Sequence, residues 1–323
     1  MNIKERFRGI GSSTTLDSQG EQLTRKDLEF ILSQFPKRKR YQSVEHSPLY
    51  PPVAENESAE LVALDNGEWG IQVTMAVYDP ESYKDLPSIE DHETSDQEDI
   101  EDDVSNISFD DLHGSISFSN HFENDEIYQL LKESNLEDIL DMHQLKIKDA
   151  EPLPLIVVAG SLAAIGTFTL NFAKTLRPQL GEDIISAFKK LRDAVIFKLS
   201  LKKQDKEPFF EVDLRGSLRE YDLILIVPPI PEAAKTAFEK AQEVLEIIRG
   251  YENVFGKNDI NRMRIWFDPS SMEWVCLYVA LENGDILIDK ERLKQLGFAP
   301  HKYDFSKMGL SILGQRQIKR KST

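Results

Sequence analysis

The chain has 323 residues and a formal net charge of −17, from 39 Lys and Arg against 56 Asp and Glu. That length fits two domains, and a hydrophobic content of 40% lets most of the chain build packed cores. The acidic balance argues against nonspecific nucleic-acid binding, which needs a basic surface, and a single cysteine, Cys276, excludes an internal disulfide framework or a Cys-rich zinc module.

The opening residues Met1 to Gly9 contain no apolar stretch of the secretory kind, so a cytoplasmic protein is expected. Arg8 to Ser13 predicts a first strand, and Asp17-Ser-Gln-Gly20 a turn. Thr24 is a predicted N-cap for a helix whose apolar residues Leu28, Ile31, Leu32 and Phe35 recur at helical spacing, with Pro36 as the stop. Glu60–Leu64 and Trp69–Tyr78 predict two strands joined by the hairpin signal Asp65-Asn-Gly67.

Between Lys84 and Lys132 there is no Lys or Arg and there are 15 acidic residues, so about 86–106 is expected to be a solvated loop. The run lacks the alternating ligands and central Gly of an EF-hand loop, which argues against calcium. Gly114–Ser119 alternates small polar with apolar residues, as a half-buried strand does. The apolar residues of Asp125–Leu140 predict one or two helices, and Asp141 and His143 are taken to lie on that helical segment.

Residues 155–173 carry no charge for 19 positions. This central apolar helix is expected either to span or insert into a membrane, giving inner-membrane association, or to serve as a buried core or self-association helix. An amphipathic helix at 181–197 follows, then strands at 209–214 and 221–227 and a long helix from Pro231 to about Arg249. Arg264–Val279 and Gly284–Asp289 predict three more strands, before a short helix at 290–296 and a basic tail.

The two halves differ in charge. Residues 1–151 hold 13 basic and 34 acidic side chains, a balance of −21; the remaining 26 and 22 give +4. The expected organisation is therefore an α+β chain with a first domain over 1–150, an apolar plus an amphipathic helix over 151–200, and a second α+β domain over 201–323.

The chemistry-bearing residues are in the first half. A serine nucleophile needs a base within hydrogen-bond reach, because its hydroxyl is barely ionised near neutral pH. Ser115 lies on the strand Gly114-Ser-Ile-Ser-Phe118, and His46 lies after the first helix in Val44-Glu-His-Ser-Pro48. In chain order, the short strand, the turn Asp17-Ser-Gln-Gly-Glu21, the helix, His46 and Ser115-Ile-Ser-Phe118 resemble the prohead maturation proteases of tailed phages. Those proteases share the assemblin fold, a small β-barrel with helices around it. The resemblance covers about residues 6–145. It implies a serine endopeptidase acting on a peptide or protein substrate, with Ser115 as nucleophile, His46 as general base and backbone amides near the strand holding the oxyanion. Ser117 stands where the family usually has Gly. His143, Asp141 and His121 are all candidates for the third catalytic member, with His143 the preferred one.

No cofactor is expected. His92, His113, His121 and His143 lack the paired short spacing of a metal site, so none is expected there either. Cys276 sits in an apolar strand, as a buried structural thiol does. The second functional hypothesis is a noncatalytic interaction or sensor protein, of the kind a cellular, defence-related descendant would be. Its apolar helix would insert into a membrane or join copies of the chain.

Overall fold

A computed structural model of the chain describes residues 1–15, 22–33, 35, 40–43, 47, 49–89, 114–119, 122–138, 140–145, 155–160, 173–201, 209–213 and 221–298. The chain divides into two compact units, Met1–Lys84 with Lys290–Thr323, and Asp85–Asp289.

The first unit is built on four antiparallel strands, β1 (Ile3–Ser13), β2 (Arg40–Ser43), β3 (Pro52–Ala63) and β4 (Trp69–Tyr78), in the order β1-β4-β3-β2. Register shifts in all three pairings mark irregular positions at which extra residues bend the strands, giving an open, curled sheet. The β3–β4 turn follows the Asn-Gly signal: Gly67 takes φ 80°, and the Asn66 side chain accepts from the Glu68 N–H at 3.1 Å. The helix α1 (Arg25–Ser33) buries Leu28 completely and packs on β3 and β4. Its start is a box of reciprocal bonds in which the Thr24 N–H and hydroxyl both donate to the Asp27 carboxylate, each at 2.7 Å. Those donors hold the Asp27 carboxyl below its ordinary pKa.

The second unit is a nine-stranded mixed sheet with helices packed on one face. Its strands are β5 (Lys84–Asp85), β6 (Gly114–Ser119), β7 (Leu140–Leu145), β8 (Leu155–Gly160), β9 (Phe209–Asp213), β10 (Asp222–Val227), β11 (Ile260–Asp268), β12 (Glu273–Leu281) and β13 (Ile286–Ile288). Their order is β5-β13-β12-β11-β10-β9-β8-β6-β7.

Three neighbouring pairs are parallel: β6 with β7, β8 with β9, and β10 with β11. Parallel neighbours cannot be joined by a tight turn, so each pair is bridged by helix. Helix α2 (Asn124–Glu133) links the first pair and α3 (Ala173–Leu201) the second, while α4 (Pro231–Glu239) and α5 (Ala241–Phe255) link the third. The short α6 (Lys290–Gln295) belongs to the first unit.

The core of the second unit forms where sheet and helices meet. Ile116, Phe118, Phe210, Val212, Leu223, Leu225, Ile265 and Phe267 come from the sheet, and Ile127, Leu131, Leu191, Val195, Phe238 and Ile248 from the helices; all are buried in one cluster. Alternation along each strand turns the intervening residues to the opposite face.

Three expectations are revised. The small β-barrel is represented by the open four-stranded sheet of the first unit, and the strand of Ser115 belongs to the other sheet. The apolar run 155–173 is not one helix. Its first six residues, Leu-Ile-Val-Val-Ala-Gly, form β8 between β6 and β9, where Ile156, Val157 and Val158 suit a strand paired on both sides. Both edges of this strand are therefore paired within the sheet. Residues 161–172 lie outside the described residues. Strands from both sides of position 150 share one sheet, so the change of charge there does not coincide with the division into compact units. Among the described residues no helix is long and apolar enough to cross a membrane.

Candidate functional site

The site is built on β6 and β7. In β6, Ile116 and Phe118 are fully buried in the core, while Ser115 and Ser117 between them are only half-buried. In β7, Leu140 is buried and Met142 packs against the core, while Asp141 and His143 are exposed. The two strands run parallel in the register Ser115 to Asp141, Ile116 to Met142 and Ser117 to His143. Paired residues of parallel strands point to the same side, so two hydroxyls, a carboxylate and an imidazole share the face away from the helices.

The expected helix over Asp125–Leu140 ends earlier than its apolar residues suggest. Helix α2 stops at Glu133, and Asn135 takes a left-handed φ of 57°. The Leu136 N–H then donates to the Leu131 carbonyl at 2.9 Å, closing the helix end. Asp141 and His143 are therefore on a strand, not on a helix. The alternation Leu140, Asp141, Met142, His143 carries that signal.

Of the residues that the sequence nominates, the structure describes Ser115, Asp141 and His143 and brings them onto one pair of strands. His46, His121 and the turn Asp17–Glu21 lie outside the described residues. Ser117, which in the sequence stands out only as a departure from a glycine pattern, is the residue in direct register with His143. Among the described residues, no hydrogen bond joins Ser115 or Ser117 to His143 or Asp141. Because β6 is paired on both sides, its backbone amides are committed to β7 and β8. Donors for an oxyanion must therefore come from elsewhere than the β6 ladder.

A second polar group occupies the same face nearer the middle of the sheet. Arg262 and Arg264 of β11 both reach the Asp222 Oδ2 of β10, at 2.8 and 3.1 Å. Arg264 also donates to the carbonyls of Asp222 and Met263, at 3.0 and 3.1 Å. Burial works against the Arg264 charge, but Asp222, Tyr278 and Glu211 around it more than offset this and hold its pKa above the ordinary value. The buried guanidinium makes three hydrogen bonds to protein groups, the arrangement of a structural ion pair. Among the described residues, no group of three His, Cys, Asp or Glu side chains is placed to hold a metal ion.

Cys276 is 6% exposed, its Sγ lies 3.6 Å from the Tyr278 carbonyl, and burial pushes the thiol well above its ordinary pKa. A thiol kept protonated and enclosed is inert. Native protein should leave a disulfide reagent such as Ellman's unreacted at neutral pH and release one thiol per chain after denaturation. Rapid reaction of the native protein would contradict this burial.

No family model, curated protein or solved structure matches this chain. The functional reading therefore rests on the residues themselves. On β6 and β7, Ser115, Ser117, Asp141 and His143 share one face of the sheet.

Proposed function

We propose that this chain is a serine peptidase-like protein, cytoplasmic, that acts on a peptide or protein substrate through a serine of β6. One observation carries this reading: the register of β6 and β7 puts Ser115 and Ser117 on the face that holds Asp141 and His143. A hydroxyl becomes an effective nucleophile when a base takes its proton during attack, and imidazole is the side chain whose ordinary pKa suits that task near neutrality. The resemblance to the prohead proteases adds an assemblin-like fold, with Ser115 as the nucleophile and His46 as a base. The curled four-stranded sheet of the first unit does not carry Ser115, so this reading is supported by the residues of β6 and β7 rather than by that fold.

The test uses the full chain with a fluorophosphonate probe and a peptide library. The wild type should take the label and cleave a subset of peptides. The double variant Ser115→Ala, Ser117→Ala should do neither, with its circular dichroism unchanged. Cleavage by the double variant at the wild-type rate would remove β6 from the mechanism.

A second reading, a noncatalytic interaction protein, is favoured by the missing hydrogen bond between the β6 serines and His143. It predicts no labelling and no cleavage by the wild type.

A further inference from the structure

We infer that Ser117, rather than Ser115, is the nucleophile of this face, and that His143 is its general base. The inference rests on the peptidase reading and decides which hydroxyl performs it.

Neighbouring strands lie about 4.8 Å apart, and two residues along a strand add about 6.6 Å. Ser117 is in direct register with His143, so their backbones are separated by about one strand spacing. Ser115 is in register with Asp141 and lies diagonally from His143, at about 8 Å. A rotation about χ1 brings the Ser117 hydroxyl and an imidazole nitrogen of His143 into hydrogen-bond reach; a short serine side chain does not span the diagonal. The absence of that bond in the free protein is compatible with the role, because catalytic hydrogen bonds often tighten only when substrate is bound.

Asp141 stands two residues before His143 on the same strand and face. It is assigned as a positioning residue for the imidazole. Both serines are half-buried, so neither is distinguished by exposure. Register alone separates them.

The step balances within these groups. The Ser117 Oγ forms a bond to the peptide carbonyl carbon as its proton passes to His143, and the carbonyl π pair moves onto oxygen. When that pair returns, the C–N bond breaks and the departing amine takes the proton from the imidazolium. Water then attacks the ester, giving its proton to His143. Collapse releases the acid and returns that proton to the Ser117 oxygen.

The experiment labels full-length protein with the fluorophosphonate probe and maps the adduct by peptide mass spectrometry. The adduct should fall on Ser117. Ser117→Ala and His143→Ala should each lower labelling and cleavage by about a thousandfold or more, whereas Ser115→Ala still takes the label. Asp141→Asn should lower kcat with little change in KM, because the imidazole is no longer held for proton transfer; a purely structural role would not separate the two. An adduct on Ser115, with Ser117→Ala still labelled, overturns this inference while leaving the peptidase reading intact. No adduct on either serine overturns both.

Discussion

Arg264→Leu should destabilise the protein by about 3–5 kcal/mol, the usual result of breaking a buried ion pair from one side. The side chain is 7% exposed and its two carbonyl acceptors, Asp222 and Met263, lose a charged donor. Asp222 keeps Arg262, which is more exposed, at 16%, so the loss falls toward the lower end of the range. For a unit of about two hundred residues this corresponds to a drop in Tm of roughly 10 °C. Arg264→Leu combined with Asp222→Leu should recover part of the loss, because the buried carboxylate is then removed as well. Thermal denaturation of the three proteins checks the claim. A single variant within about 1 kcal/mol of wild type would show that the charge cluster is not structurally coupled.

The second large effect is expected at Phe210. Phe210→Ala should cost about 3–5 kcal/mol, from lost transfer energy plus the cavity left behind. The ring is completely buried at the centre of the second sheet and lies 6.3 Å from the ring of Phe238. Phe238 in turn carries the Arg192 guanidinium 4.9 Å from its centroid. The same truncation at Phe197, which is 61% exposed, should change stability by about 0.5 kcal/mol or less. Chemical denaturation followed by circular dichroism measures both, and equal effects would contradict the packing described for β9 against α4.

The signals legible in the sequence are local ones. Asn66-Gly67 predicts its hairpin because a type of turn is encoded by two adjacent residues. The strands β11, β12 and β13 are legible as apolar runs separated by turn residues, and Pro231 marks the start of α4.

Long-range pairing is not legible in the same way. The run at 155–173 is uncharged enough to suggest a helix, whereas its first residues are flanked by β6 and β9, which arrive from distant parts of the chain. The acidic surface likewise suggests a division near 150, but Phe118 and Phe210 on either side of it share one core. Charge reports what faces water, and buried contacts decide what folds together. The candidate site shows the same limit. Ser115 and His143 stand out in the sequence by residue type, but the pairing of Ser117 with His143 depends on a register between strands separated by α2.

The position of β7 has a mechanical consequence. Among the described strands it is the last of its sheet and pairs through β6 alone, whereas β6 is paired on both flanks. The hydroxyl-bearing rib is thus braced, and the imidazole-bearing rib is cantilevered from it. Fraying of such an outer lip costs less free energy than opening the interior. The spacing between the Ser117 and His143 positions is therefore set at the more easily opened side of the sheet.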